Sequence, residues 1–213
     1  MESRDKLSSY HYHDAALNDA HGYILPFLLK LLDSLNLATG QRRIFDLGCG
    51  NGSVANELTC RGFDVTGVDP SEEGIAQANK TYPDLKLYKA SAYDDLAGRF
   101  GHFPVVVSLE VVEHVYSPRK FASTVYDLLD RDGLAIISTP YHGYLKNLAL
   151  SLTGKMDSHF TALWDHGHIK FWSFKTLRLL LEETGFQDIE FHRAGRIPVF
   201  AKSMIAVARK KVS

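Results

Sequence analysis

Three side chains able to move a proton or hold a cation, Glu110, Glu113 and His114, lie within five residues of one another, directly after an apolar run. If the chain turns helical there, the spacing i, i+3, i+4 puts all three on one face. His114 is the natural base candidate, because an imidazole exchanges its proton near neutrality. The plainer alternative has the two glutamates positioning a ligand or capping a turn while His114 is packed.

A second constellation lies upstream. Ile44-Phe45-Asp46-Leu47-Gly48-Cys49-Gly50-Asn51-Gly52-Ser53 reads as a strand running through a glycine-dense turn into a helix. Residues without side chains let the backbone bend sharply and approach a ligand at the carboxyl edge of a sheet. A dinucleotide fold uses G-x-G-x-x-G to bring a helix N-terminus against pyrophosphate. Here the spacing is G-x-G-x-G, with Ser53 in the place of the last glycine, so the expected ligand lacks a pyrophosphate. Asp69 ends the next strand, 21 residues beyond Gly48, where an acid can accept hydrogen bonds from a ribose diol. Pro70 and Ser71 then turn the chain into another helix.

The elements that must position these groups alternate. Leu17, Ala20, Ile24, Phe27, Leu28, Leu31, Leu32 and Leu35 recur at helical spacing, predicting one or two amphipathic helices over 17–37, with Pro26 as a kink or a second start. From Gly40 onward, short apolar runs alternate with helical patterns, the signature of βα units around a parallel sheet. Strands are predicted at 43–47, 64–68, 85–89, 104–109 and 134–138, with two more at 189–193 and 199–208. Helices are predicted from Ser53 to Cys60, after Ser71, after Ser117-Pro118 with Gly133 just past its end, and from Ser173 to Gly185. Residues 141–172 interrupt this alternation. Within them Tyr144, Leu145, Leu148, Ala149 and Leu152 form an apolar helical face opposite Lys146, Asn147, Ser151 and Lys155. We read that face as a lid packed on its own domain; contact with a lipophilic acceptor or a membrane surface is the alternative. Trp164-Asp165-His166-Gly167-His168 offers polar aromatic walls for a pocket, and Tyr10-His11-Tyr12-His13 sits in a polar tail, residues 1–16.

The bulk composition narrows the function classes. At 213 residues with 45% hydrophobic content, the chain fits one domain. Lys plus Arg total 24 against 25 Asp plus Glu, so no general attraction to nucleic acid or anionic lipid is expected. Two cysteines without metal spacing, Cys49 and Cys60, suit free thiols in a reducing cytoplasm, and no apolar run is long enough for a signal core or a membrane span. Composition does not indicate an oligomeric state.

Taken together, FDLGCGNG (45–52), VTGVDPS (65–71), VVVSLEVVEHV (105–115), DRDGLAIISTP (130–140) and HIKFWSFKTLRLLLEETGF (168–186) resemble the class I S-adenosylmethionine-dependent methyltransferases, in particular the ubiquinone-biosynthesis O-methyltransferases. The resemblance implies an α/β Rossmann-like sheet of seven strands, ordered 3-2-1-4-5-7-6 with only the last antiparallel, and residues 141–172 as the substrate cover. It implies S-adenosylmethionine as cofactor: Gly48, Gly50 and Gly52 along its amino-acid portion with Asp46 below, Asp69 and Pro70 at the ribose, Ser91 and Ala92 flanking the adenine, and Leu109 completing the pocket. Position 91 departs from the many relatives that carry an acid there. Methyl transfer to a small or lipophilic hydroxyl compound is the implied chemistry, with His114 and Glu113 catalytic. Relatives that share the cluster bind a divalent cation, which would make Glu110, Glu113 and His114 ligands for Mg²⁺, with His166 and His168 within reach; others carry the same pattern without a metal. A small amine, a small RNA 2′-hydroxyl, and a non-catalytic cofactor-binding module are the competing readings. A nucleotide-dependent oxidoreductase fits the glycine spacing less well.

Overall fold

The computed structural model of the chain describes residues 17, 20–160, 162, 167–197 and 200–211. Tyr10 to His13, Trp164, Asp165, His166 and Val199 therefore lie outside the described residues.

Seven strands form one sheet: β1 (Arg43–Leu47), β2 (Asp64–Asp69), β3 (Lys86–Lys89), β4 (Phe103–Leu109), β5 (Leu129–Pro140), β6 (Gln187–Ala194) and β7 (Ser203–Arg209). Their order is β3-β2-β1-β4-β5-β7-β6, as expected. The first five pair in parallel, while β7 runs antiparallel to both β5 and β6. Strands β1 and β4 are buried along nearly their whole length, because helices cover both faces of the sheet. Side chains alternate between the two layers. Ile44, Val105 and Val107 pack under α1 (His21–Ser34), α2 (Ser53–Cys60) and α3 (Glu72–Thr81). Phe45, Leu47 and Val106 pack on the opposite side with α4 (Leu96–Phe100), α5 (Pro118–Leu128) and α8 (Phe174–Thr184).

Helix boundaries follow local chemistry. Ser71 accepts a hydrogen bond from the Gly74 amide at 3.0 Å and caps α3. Ser173 and Thr176 form a reciprocal capping box at the start of α8, and Gly185, at φ +106°, ends it. Pro26 lies inside one continuous helix rather than dividing two. Pro118 opens α5 at its first turn, but the Ser117 side chain makes no capping bond. Gly133 does not follow the end of α5 directly: the chain becomes extended at Leu129, which pairs with Phe103, and Asp132 and Gly133 belong to β5. The short α4 was not apparent from periodicity; Asp95 caps it by accepting from the Gly98 amide.

The stretch between β5 and α8 carries α6 (Tyr144–Leu152) and α7 (Met156–Phe160). Here the expectation of a packed apolar face is overturned. No residue of α6 is buried, and Tyr144 and Leu152 are each 79% exposed. Lys146, Ala149, Leu150 and Thr153 instead line the large cavity described next. The helix is thus turned with Lys146 inward and Tyr144, Leu145, Leu148 and Leu152 outward.

Candidate active site

An open cavity of about 1800 Å³ lies where β1, β2, β4 and β5 end at the carboxyl edge of the sheet. Open parallel sheets place ligands there, because the chain switches between faces on either side of such a crevice. The strand order gives the cavity two ends. Residues following β1, β2 and β3 wall one, and those following β5 and preceding β7 wall the other.

At the first end the loop after β1 is held by its neighbour. The amides of Gly48 and Cys49 both donate to Val68 O, at 2.8 and 3.0 Å. Gly48 takes φ +88°, and a Cβ there would collide with the Val111 side chain, so only glycine fits. Asp69 accepts from the Gly50 amide through Oδ2 (3.0 Å) and from the Ser71 amide through Oδ1 (2.8 Å). Each oxygen keeps a further lone pair for a ligand hydroxyl. Burial raises the Asp69 pKa, with those two amides opposing the rise. Asp46 is 2% exposed and its Oδ2 has no hydrogen-bond partner among the described residues. Burial, reinforced by the nearby Asp69 charge, pushes the Asp46 pKa up to about 7. Pro70, Ser91, Ala92 and Leu109 also line this wall. Asp94 joins them, and its carboxylate accepts from the Ser91 amide at 2.7 Å. Gly52 does not reach the cavity. It takes φ +77° at the N-cap of α2, and its missing side chain leaves room for Leu87 and Ala78.

The Glu110, Glu113 and His114 group is not helical. Residues 112–114 form a turn, with the His114 amide donating to Val111 O at 2.9 Å, and Glu110 takes the left-handed φ of +54°. That backbone breaks the helical period, so Glu110 parts from the other two side chains. Glu110 lines the cavity and accepts from Ser138 Oγ (2.8 Å) and Ser203 Oγ (3.2 Å). Its burial pushes the pKa up to about 7 against those two hydrogen bonds. Glu113 turns inward and is 1% exposed; neither carboxylate oxygen has a well-formed hydrogen bond among the described residues. Burial, then the charge of Glu110, lifts its pKa well above the usual carboxylate range, with its own backbone amide and then Thr139 opposing the rise. His114 faces the cavity, with Nδ1 3.2 Å from Gly167 O.

His168 completes this centre. Its Nε2 lies 4.0 Å from Glu113 Oε1 and its ring centroid 4.9 Å from that of His114. Ligand atoms of Glu113, His114 and His168 all fall within 4.8 Å of one another. Glu110 is not part of that group, so the ligand set differs from the sequence expectation by one residue. Burial, and then the neighbouring His114 and His159, lowers the His168 pKa to about 4, which leaves a neutral ring able to donate a lone pair. A buried carboxylate without partners beside two imidazoles fits a divalent cation, and this donor set suits zinc or iron better than magnesium. The turn is clamped from outside: the Glu113 carbonyl accepts from the amides of Ile169 and Lys170, and Trp172 Nε1 donates to Val112 O.

The second end is basic. Lys146, Arg196 and Lys202 line it, from α6 and from the connection between β6 and β7. Sequence reasoning did not single out Arg196 or Lys202 and placed Lys146 on the solvent side, since no spacing rule ties them to Glu110.

Comparisons with known proteins bear on this geometry. The sequence model of the family described as "Methyltransferase domain" matches residues 17–190. The ubiquinone biosynthesis O-methyltransferase of Caulobacter sp. (strain K31) is 40% identical over 116 residues, 53% of this chain and 46% of that protein. The protein of the same name from Ruegeria pomeroyi is 29% identical over 152 residues, 70% of this chain and 61% of its own. The chain thus spans about half the length of the curated relatives it matches. Among solved structures, the magnesium protoporphyrin IX methyltransferase of Synechocystis PCC 6803 with bound S-adenosylhomocysteine superposes with a TM-score of 0.63 at 22% identity, over 88% of this chain and 82% of that one. A SAM-dependent methyltransferase from Archaeoglobus fulgidus gives 0.62 at 17% identity, over 87% and 94%. Likeness at these identities speaks to the fold alone.

Proposed function

The chain belongs to the methyltransferase-domain family, and we propose that it methylates a hydroxyl of a small or lipophilic acceptor with S-adenosylmethionine as donor. The observation that carries this reading is the pair of buried carboxylates, Asp46 and Asp69, beside a loop in which Gly48 tolerates no side chain. The orphaned Asp46 Oδ2 suits the cofactor's ammonium group, and Asp69 retains lone pairs for its ribose hydroxyls. When bound, the cofactor supplies a methyl group already activated by its sulfonium charge.

The protein's own part is alignment and proton management. Leu109 and Val111 wall the junction between the two ends of the cavity, so an acceptor beside Glu110 and His114 faces the glycine loop. A phenol-like hydroxyl has a pKa of roughly 10, so removing its proton raises the reactive fraction at neutral pH. His114 is placed to take that proton, with Gly167 O orienting its ring. Alternatively, Glu113, His114 and His168 would hold a divalent cation; it would take the one ring lone pair left to His114 and would stabilise the acceptor oxyanion in place of a His114 base. The outward apolar face of α6 supports peripheral contact with a lipid surface carrying the acceptor, and the two free thiols support a cytoplasmic setting. The acceptor is taken to be a small molecule rather than nucleic acid, given the net charge of −1.

Calorimetry with S-adenosylhomocysteine is the direct test. Binding is expected, with Asp69→Ala weakening it by about tenfold or more, the loss of hydrogen bonds to a charged group. No heat with either form of the cofactor would end the reading. In the same preparation, EDTA is expected to suppress transfer of labelled methyl to phenolic acceptors; undiminished transfer by metal-free protein would remove the cation alone.

A further inference from the structure

The α6 helix inverts the ordinary amphipathic rule. Leu145, Leu148 and Leu152 face outward while Lys146, at the start of the i, i+3, i+4, i+7 row Lys146, Ala149, Leu150, Thr153, faces the cavity. The Lys146 ammonium makes one hydrogen bond, to Tyr141 O at 2.9 Å, and no carboxylate lies within 4.0 Å of it among the described residues. Two of its three N–H groups are therefore left for something else. Like charges gather around it despite the repulsion. Burial and then the nearby Arg196 hold the Lys146 pKa below its ordinary value, with the charge of Glu110 opposing them. Lys202 is tied to the same corner, since its carbonyl accepts from the Tyr141 amide at 2.9 Å and its ammonium lies 5.1 Å from the Tyr23 ring centroid. The acid at this end among the described residues is Glu110, already engaged by Ser138 and Ser203. The acids Asp46, Asp69 and Asp94 sit at the opposite end.

We propose that the methyl acceptor carries an anionic group, a carboxylate or a phosphate, received by Lys146, Arg196 and Lys202 between α6 and the β6–β7 connection. This rests on reading the cavity as a methyltransferase site. Lys146 is half-buried while Arg196 and Lys202 are exposed, and three cations facing the one acid Glu110 at this end leave an excess of positive charge; an anion entering there gains charge-assisted hydrogen bonds from several donors at once. The cofactor's own carboxylate is the other source of the same chemistry. The position of the cluster beyond β5 and before β7, away from the loop after β1, assigns it to the acceptor.

The experiment is a calorimetric titration of protein saturated with S-adenosylhomocysteine, using benzoate, phenyl phosphate and phenol as probes. At least one anion is expected to bind about tenfold more tightly than phenol or better, as an added charge-assisted contact requires. Lys146→Met and Arg196→Ala should each erase most of that preference while S-adenosylhomocysteine binds them as it binds the wild type. Equal binding of phenol and the anions, no binding of either anion, or a preference that survives in the double variant would overturn the proposal. So would variants that lose S-adenosylhomocysteine, since the cations would then serve the cofactor's carboxylate. A wild-type protein that fails to bind S-adenosylhomocysteine at all would instead count against the methyltransferase reading itself.

Discussion

Asp46 and Asp69 put two carboxylates at the carboxyl ends of adjacent strands, both nearly out of water. Such a pair resists full ionisation until a cation or a set of donors arrives, and the Asp46 pKa of about 7 expresses that resistance. A cationic ligand binds the ionised form. Below pH 7 Asp46 must first lose its proton, so affinity for S-adenosylmethionine should fall as pH drops from 7.5 to 5.5, by at most about tenfold per unit. Asp46→Asn should bind more weakly at pH 7.5 and show a flat profile over that range. Titration calorimetry at several pH values checks both; a wild-type affinity independent of pH would mean that Asp46 does not meet the ligand's charge. Glu113 and His168 show the complementary case: burial disfavours the charged form of each, raising the pKa of the acid and lowering that of the base.

At the scale of elements, α8 and α6 contrast. The α8 helix satisfies its first amides through Ser173 and Thr176, ends at a left-handed glycine and buries Leu177, Leu180 and Leu181 against the core. Ser173→Ala should therefore cost roughly 1 kcal/mol of stability. Leu152 of α6 is 79% exposed, so Leu152→Ser should change stability by less than about 0.5 kcal/mol. Urea unfolding of the two variants beside the wild type measures both. A large loss from Leu152→Ser would mean that the outward face is covered in solution.

For the whole molecule, a net charge of −1 conceals a division of charge inside one cavity. Acids gather where a cationic cofactor would lie and bases where the acceptor would. No helix among the described residues is long and apolar enough to cross a membrane. Tyr144, Leu145 and Leu152 nonetheless present an apolar surface beside the basic mouth, a pairing suited to lying on an anionic bilayer. Wild-type protein should sediment with vesicles containing phosphatidylglycerol, and the Leu145→Ser, Leu152→Ser double variant should remain in the supernatant. Wild-type protein that stays in solution with every vesicle composition would exclude this contact.

What the sequence determined by itself was governed by short range. Strand and helix periods, the G-x-G-x-G turn and an acid at the end of β2 are local patterns, and together they specify a parallel βα sheet with a ligand at its carboxyl edge. Gly52 could be placed in the loop but not on the correct side of it, because Leu87 and Ala78 arrive from β3 and α3. The helical face expected for Glu110, Glu113 and His114 failed because Ser138 and Ser203, from β5 and β7, draw Glu110 away and the backbone there turns left-handed. His168 reached the centre only through contacts spanning many residues, with Glu113 and His114. Spacing in a chain reports neighbours along one element; which side chains meet across a cavity depends on how separate elements pack, and that information lies in the tertiary contacts.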